Sequence, residues 1–371
     1  MTTLPTPSDP ERLTVTRTSL PPLDDYVTLL RGVWERNWVT NNGPLVQELE
    51  QKLRTHLGVS HLWFVNNGTT ALQIALKALD LKGEVITTPF SYVATTGAIL
   101  WENLTPVFVD IRPGDLTLDP AKIEAAITPR TSAILATHVY GFPCDTDTIA
   151  TLARRHGLRV IYDAAHAFGC TVDGRSLAAF GDISCLSFHA TKPFHTIEGG
   201  AVVINGNPEL AERVRLMRAF GHHGDTHYCL GINGKNSELH AAMGLCNLPR
   251  LPELTAQRAA QIAGYRQLLA SVPQIQNLTS GIANFRANGG YCPILLPNEP
   301  AVLRALASLA AIGVHPRRYF HPALNRLPYL AHAACPVAES AAARVLCLPI
   351  SDRVTPALQE QIVDVLTLSL G

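Results

Sequence analysis

The residues best suited to chemistry lie between Ser187 and Gly200, in the stretch Ser187-Phe-His-Ala-Thr-Lys-Pro-Phe-His-Thr-Ile-Glu-Gly-Gly200. The chain has few lysines, and Lys52, Lys77, Lys82 and Lys122 sit among polar residues. Lys192 instead follows the apolar run Ile183-Ser-Cys-Leu-Ser-Phe188 and precedes Ala201-Val-Val-Ile204. The pattern predicts a short connection between two buried strands. An ammonium at the edge of an apolar core is costly to keep charged, so its pKa falls and the free amine becomes available for Schiff-base chemistry. A snorkelling lysine, its stem packed and its head in water, fits the same stretch.

Other groups fall at comparable places. His61-Leu-Trp-Phe-Val65 predicts a strand and Ala71 to Leu79 a helix, joined by Asn66-Asn-Gly-Thr-Thr70. The helix N-terminus there would offer free N–H groups to an anion, with Gly68 allowing close approach and Thr69 and Thr70 adding hydroxyls. An ordinary helix start capped by Thr69 is the plainer alternative. No Gly-Lys-Ser/Thr follows, which excludes a nucleotide P-loop. Asp163 ends the apolar run Leu158 to Asp163 and is followed by Ala164, Ala165 and His166, and Tyr92 lies early in a predicted helix over 91–101.

These residues are positioned by alternating strands and helices. Strands are expected at 84–88, 105–110, 132–137 and 158–163, with helices at 120–126, 146–156 and 208–219. Such alternation implies an α/β fold with a mostly parallel sheet, whose ligands gather at the carboxyl ends of the strands. Thr88, Thr137, Asp163 and Ser187 stand at such ends. A long helical stretch from Ser237 to Leu269, broken near Pro249 and Pro252, leads into a smaller α+β region. The expected division is a large domain over 1–250, with residues 1–19 as a loosely draped extension, and a small domain over 251–371.

Lys+Arg and Asp+Glu both number 30 in 371 residues. With no net charge and no basic stripe, nothing in the composition attracts nucleic acid or an anionic membrane. No apolar run is long enough to span a bilayer. The eight cysteines are scattered without a Cys-x-x-Cys pair, which favours reduced thiols, no metal site and a cytoplasmic protein.

Together the anion cradle, an aromatic at Tyr92, a strand-end carboxylate, a hydroxyl at Ser187 and a lysine suit a cofactor with a phosphate, a flat ring, a basic ring nitrogen and an aldehyde. Pyridoxal 5′-phosphate fits that description. Longer motifs agree: Asn67-Gly-Thr-Thr-Ala-Leu72, Thr88-Pro-Phe-Ser-Tyr-Val-Ala94, Pro106-Val-Phe-Val-Asp110, His138-Val-Tyr-Gly141, Asp163-Ala-Ala-His-Ala-Phe-Gly169 and Gly231-Ile-Asn-Gly-Lys-Asn-Ser-Glu-Leu-His-Ala-Ala242. With the lysine stretch, they make the chain resemble the DegT/DnrJ/EryC1/StrS family of nucleotide-sugar aminotransferases, of the aspartate aminotransferase fold (fold type I).

The resemblance implies that Lys192 is the Schiff-base lysine and Asp163 the partner of the pyridine nitrogen. It implies that Gly68, Thr69 and Ser187 bind the phosphate, that Tyr92 stacks on the ring and that His166 lies near the phenolic oxygen. Many members carry Gln at the position of His166. Asn233 would reach the phosphate across a homodimer interface, although Gly234 here replaces the family's usual aromatic residue. The subgroup acting on dTDP-4-keto-6-deoxyhexoses is implied, with L-glutamate as donor, 2-oxoglutarate as co-product and ping-pong kinetics. The product would feed a surface polysaccharide or a glycosylated metabolite. His195, Glu198, Lys235, Arg318 and Tyr319 are the substrate candidates. Amination at C3, amination of a cyclitol ketone, and a non-enzymatic regulatory role are the alternatives.

Overall fold

The computed structural model describes residues 12–370, and the segment 1–11 lies outside the described residues. Its centre is a seven-stranded sheet in the order 61–65, 200–204, 183–187, 159–163, 131–137, 84–87, 105–108. Neighbouring strands run parallel from 183–187 out to 105–108, and 200–204 alone runs antiparallel to both its neighbours. The inner strands are apolar on both faces because helices cover both. Ile161 and Ile183 pack towards one face, and Val160 and Tyr162 towards the other. Residues 65, 87, 137, 163 and 187 therefore come to one edge of the sheet.

The helices start and stop where local chemistry requires. Pro44–Leu57 begins on a proline and ends at Gly58, whose φ of 64° suits glycine. Thr146–His156 is capped by Asp145, whose carboxylate accepts from the Thr148 N–H. In Gly68–Ala78 the cap is Asn67, not Thr69: its Oδ1 accepts from the Thr70 N–H at 2.8 Å. That shift leaves Gly68 and Thr69 in the first turn with outward-facing N–H groups.

Several predicted bounds change. The helix expected over 91–101 runs Ala94–Trp101, because the chain bends through residues 89–91 after Pro89 and leaves Tyr92 just before the first helical turn. The helix expected over 120–126 is two 3₁₀ turns, Pro120–Lys122 and Glu124–Ala126. The stretch 237–269 divides into Glu238–Asn247 and Leu251–Leu269 around a 3₁₀ turn at Leu248–Arg250 that accommodates Pro249.

The C-terminal part has its own three-stranded antiparallel sheet, in the order 276–277, 293–295, 345–347, whose Ile294 and Leu346 share a buried cluster with residues of Glu299–Ala311 and Pro356–Leu368. The described part of the N-terminal extension is not loosely draped. Leu13–Thr14 pairs in parallel with Val314–His315, and Leu13 and Val15 are buried. Their apolar side chains supply the reason. No helix among the described residues is long and apolar enough to cross a membrane.

Candidate active site

A pocket of about 310 Å³ opens at the carboxyl edge of the sheet, lined by Gly68, Thr69, Tyr92, Asp163, His166, Ser187, Lys192, Glu198 and Tyr319, among others. Strands 159–163 and 183–187 deliver Asp163 and Ser187, and the loop after Ser187 returns Lys192 to the same space. A backbone bond from the Lys192 N–H to the His189 carbonyl (2.9 Å) turns that loop tightly.

Lys192 Nζ donates to the Tyr291 hydroxyl at 2.8 Å and lies 5.4 Å from the centre of that ring. Burial lowers its pKa to about 8, with the Asp163 charge pulling the other way. The free amine is thus easier to reach than that of an ordinary lysine. Asp163 is 4% exposed, and burial raises its carboxyl pKa, opposed by hydrogen bonds from Thr95 Oγ1 (2.6 Å) and the Ala165 N–H (3.1 Å).

Behind Asp163 lies a line of buried hydroxyls. Because Thr95 donates its proton to Asp163, its oxygen accepts from Ser91 (2.7 Å), and Ser91 accepts from Thr137 (3.3 Å). All three protons point towards the carboxylate.

His166 has its protonation fixed from outside the pocket. Its Nδ1 accepts the Tyr140 N–H at 3.2 Å, so the ring proton sits on Nε2. Burial, reinforced by the Lys192 charge, holds the imidazolium form well below the usual range. The ring stacks on Phe320 at 5.4 Å and meets Tyr291 edge-on at 4.8 Å. His166 is therefore a neutral donor in an aromatic wall.

Whether a phosphorylated ring fits can be tested at Gly68. A Cβ placed there would stand 3.0 Å from the Ser187 Cβ. Only glycine leaves the helix N-terminus and the Ser187 hydroxyl open to one oxyanion. A flat face would find Tyr92 and Ala165 in the lining, and a carboxylate and an amine complete the set. The residues fit such a group.

The other candidates divide. Glu198 and Tyr319 line the pocket, Glu198 facing His189 at 3.5 Å. His195 does not. It is fully buried, its Nε2–H donates to the Ser19 carbonyl (2.9 Å) and its Nδ1 accepts from the Ile197 N–H (3.2 Å), so backbone partners use both nitrogens. Arg318 does not either: it binds Glu299 at 2.7 Å and the carbonyls of Ala342 and Ala343. Side chains alternate in extended backbone, so its neighbour Arg317 shares the pocket with Tyr319 instead. Lys235 donates to Asn233 Oδ1 at 2.7 Å and lies over Phe220, and neither Lys235 nor the exposed Asn233 lines the pocket formed by this chain. His222 and His223 lie on a small hairpin with Thr226–His227, also outside the lining.

Thr95, Tyr291 and Arg317 belong to the site and do not stand out in the sequence. Thr95 follows Tyr92 by one helical turn, a spacing that could have flagged it. Tyr291 comes from a segment 99 residues beyond Lys192, and no local signal joins the two.

A model of the DegT/DnrJ/EryC1/StrS aminotransferase family matches residues 24–367. A dTDP-4-amino-4,6-dideoxy-D-glucose transaminase of Shigella dysenteriae is 42% identical over 94% of this chain and 96% of its own length. One of the same name from Escherichia coli is 41% identical over 96% of this chain and 98% of its own. Among solved structures, DesI in the presence of its TDP-sugar product superposes with a TM-score of 0.91 at 37% identity, covering 99% of this chain and 95% of that one.

Proposed function

Because the chain belongs to the DegT/DnrJ/EryC1/StrS aminotransferase family, we propose that it moves an amino group from L-glutamate to C4 of a dTDP-4-keto-6-deoxyhexose, with pyridoxal 5′-phosphate as cofactor. The products are the dTDP-4-amino-4,6-dideoxyhexose and 2-oxoglutarate. The observation that carries this reading is Lys192: a half-buried amine with a lowered pKa, sharing one pocket with a buried carboxylate and an anion cradle. The substrate class is supported by the two transaminases of that name and by the TDP-sugar in the DesI structure.

When bound, pyridoxal phosphate supplies an aldehyde with which amines condense and a ring that draws electrons from the substrate carbon. Gly68, Thr69 and Ser187 would hold its phosphate. Asp163, ionised and backed by Thr95, would keep a proton on the ring nitrogen. His166 would donate its Nε2 proton to the phenolic oxygen, and Tyr92 would cover one face. Lys192, freed when an amino donor takes its place, would carry a proton to and from the substrate carbon. Tyr291 accepts a hydrogen bond from Nζ and so holds the amine at its post between transfers. Arg317, Glu198 and Tyr319 are the polar groups left for substrate.

A homodimer is part of the reading. Phe220, Tyr228, Leu230 and Ile232 are exposed large apolar residues on the segment leading to Asn233. Burying them against a second copy would bring Asn233 to the partner's cradle. All eight cysteines are free thiols, which supports a cytoplasmic setting.

The test is spectroscopic. The purified protein with pyridoxal phosphate should show a visible absorption band that L-glutamate removes and dTDP-4-keto-6-deoxyglucose restores. Lys192→Ala should lose turnover by about 10⁴-fold or more. Restoration by a 3-keto sugar nucleotide alone would move the reaction to C3, and a Lys192→Ala protein with normal turnover would end the proposal.

A further inference from the structure

Two side chains of opposite charge, Arg317 and Glu198, line the pocket without pairing to each other. Arg317 comes from the C-terminal segment just after strand Val314–His315, and Glu198 from the loop that also carries Lys192. Arg317 is exposed, lies over the Tyr319 ring at 5.2 Å and pairs with no carboxylate among the described residues. Its neighbour Arg318 is the one that takes Glu299. The only other lysine or arginine in the lining is Lys192, the reacting amine. Arg317 is therefore the cation left free for an anionic substrate.

Glu198 is placed for a different partner. Its carbonyl accepts from Thr196 Oγ1 (2.8 Å) and Asn236 Nδ2 (3.0 Å), which fixes the backbone while the carboxylate stays half-exposed. That carboxylate lies 3.5 Å from His189 Nε2. The Thr191 hydroxyl (2.8 Å) and the Thr191 N–H (3.3 Å) both meet His189 Nδ1, so Nδ1 accepts and the ring proton sits on Nε2, towards Glu198. An acceptor and a donor thus stand side by side. That pattern suits a hydroxyl group, which both donates and accepts.

The two substrates differ in just these features. Glutamate brings two carboxylates and no hydroxyl. The keto-hexose brings hydroxyls close to its ketone and carries its charge on the diphosphate, across the ring from C4. Resting on the function proposed above, we propose that the pocket sorts its substrates by charge: Arg317 binds a carboxylate of glutamate in the first half-reaction, and the Glu198–His189 pair binds a sugar hydroxyl in the second. A guanidinium meets a carboxylate through two parallel N–H···O bonds, while Glu198 repels a donor carboxylate on its own side. The diphosphate has another cation to call on. In the homodimer that brings Asn233 to a second copy's cradle, Lys235 travels with it, hydrogen-bonded to Asn233 Oδ1.

Single-turnover spectroscopy separates the half-reactions. The first is the loss of the visible band when the pyridoxal phosphate protein meets L-glutamate. The second is the return of that band when protein loaded with pyridoxamine phosphate meets dTDP-4-keto-6-deoxyglucose. Arg317→Met should lower the ratio of rate constant to dissociation constant by about thirtyfold or more in the first and by less than about threefold in the second. Arg317→Lys keeps the charge without the fork and should recover part of that loss. Glu198→Gln should slow the second step by about tenfold or more and leave the first unchanged or faster, since a like charge is removed. His189→Ala should likewise act on the second step alone. The band itself reports that each variant is folded and loaded. Equal losses in both steps for Arg317→Met or for Glu198→Gln overturn the assignment. So does a loss in Arg317→Met confined to the sugar step, which would give that guanidinium to the diphosphate. A parent protein that answers neither glutamate nor the keto-sugar ends the proposed function and this assignment with it, whereas a responsive parent with unselective variants ends the assignment alone.

Discussion

At the residue scale, the arrangement around Asp163 joins two opposed effects. Burial raises its carboxyl pKa, while the Thr95 hydroxyl and the Ala165 N–H pull it down. The ionised form is the one that would hold a proton on a ring nitrogen, so activity should fall as pH drops through this pKa. Thr95→Val removes one donor and strands the hydroxyl line from Thr137 and Ser91. A hydrogen bond to a charged group is worth about 1.5–3 kcal/mol and one pKa unit about 1.4 kcal/mol, so the acidic limb of kcat/KM should move up by about one unit. Thr95→Ser keeps the donor and should keep the limb. A pH profile of the three proteins checks this, and an unmoved limb in Thr95→Val would remove Thr95 from the account. The carboxylate itself was legible, because Asp163 closes an apolar strand. Its hydroxyl support was not, since Ser91, Thr95 and Thr137 meet only through tertiary packing.

At the scale of elements, close approach is concentrated where the strand pair 61–65 and 200–204 meets the first turn of helix Gly68–Ala78. A Cβ on Gly200 would lie 2.6 Å from the Asn67 carbonyl carbon, against backbone that cannot yield. At Gly68 the tightest contact would be the Ser187 Cβ at 3.0 Å, with the Ser187 Cα at an ordinary 3.5 Å. The two substitutions should therefore separate fold from site. Gly200→Ala should cost about 3 kcal/mol or prevent folding, measured by denaturant unfolding. Gly68→Ala should leave unfolding within about 1 kcal/mol of the parent while weakening pyridoxal phosphate binding at least tenfold, read from the absorption band. Comparable stability losses in both would contradict this division. The sheet strands were readable as apolar runs ending in Thr, Asp or Ser, and their alternation with helices gave the parallel order. Element ends were harder. Asn67 and Thr69 both suit a cap, and only the placement of the Asn67 side chain over the Thr70 N–H decides between them. His195 and Arg318 misled for a related reason: a polar side chain beside a functional loop can face either way, and their backbone and ion-pair partners lie far off in sequence.

At the scale of the whole molecule, the prediction concerns assembly. If Asn233 serves the cradle of a second copy, Lys192→Ala and Asn233→Ala damage sites built from different chains. Mixing the two inactive proteins under conditions of subunit exchange should restore activity to about a quarter of the parent level, because half of the random pairs are hybrids and each hybrid has one intact site. No recovery despite proven hybrid formation would place Asn233 and Lys192 in sites that do not share chains. The exposed apolar residues between Phe220 and Ile232 could be named from sequence, but their exposure could not.

The pairing of Leu13 with Val314 has a consequence in time. The interval between them is 301 residues, roughly 15 to 60 s of ribosomal synthesis at 5–20 residues per second. Through that interval the first strand has left the ribosome and its partner does not yet exist. Ser19, a few positions along, holds the acceptor that His195 uses to anchor the lysine loop. Residues 13–19 are thus among the last parts to dock. The lysine loop gains its final anchor only after residues 314 and 315 have been made, so a ribosome stalled before them would display the sheet without a finished catalytic centre.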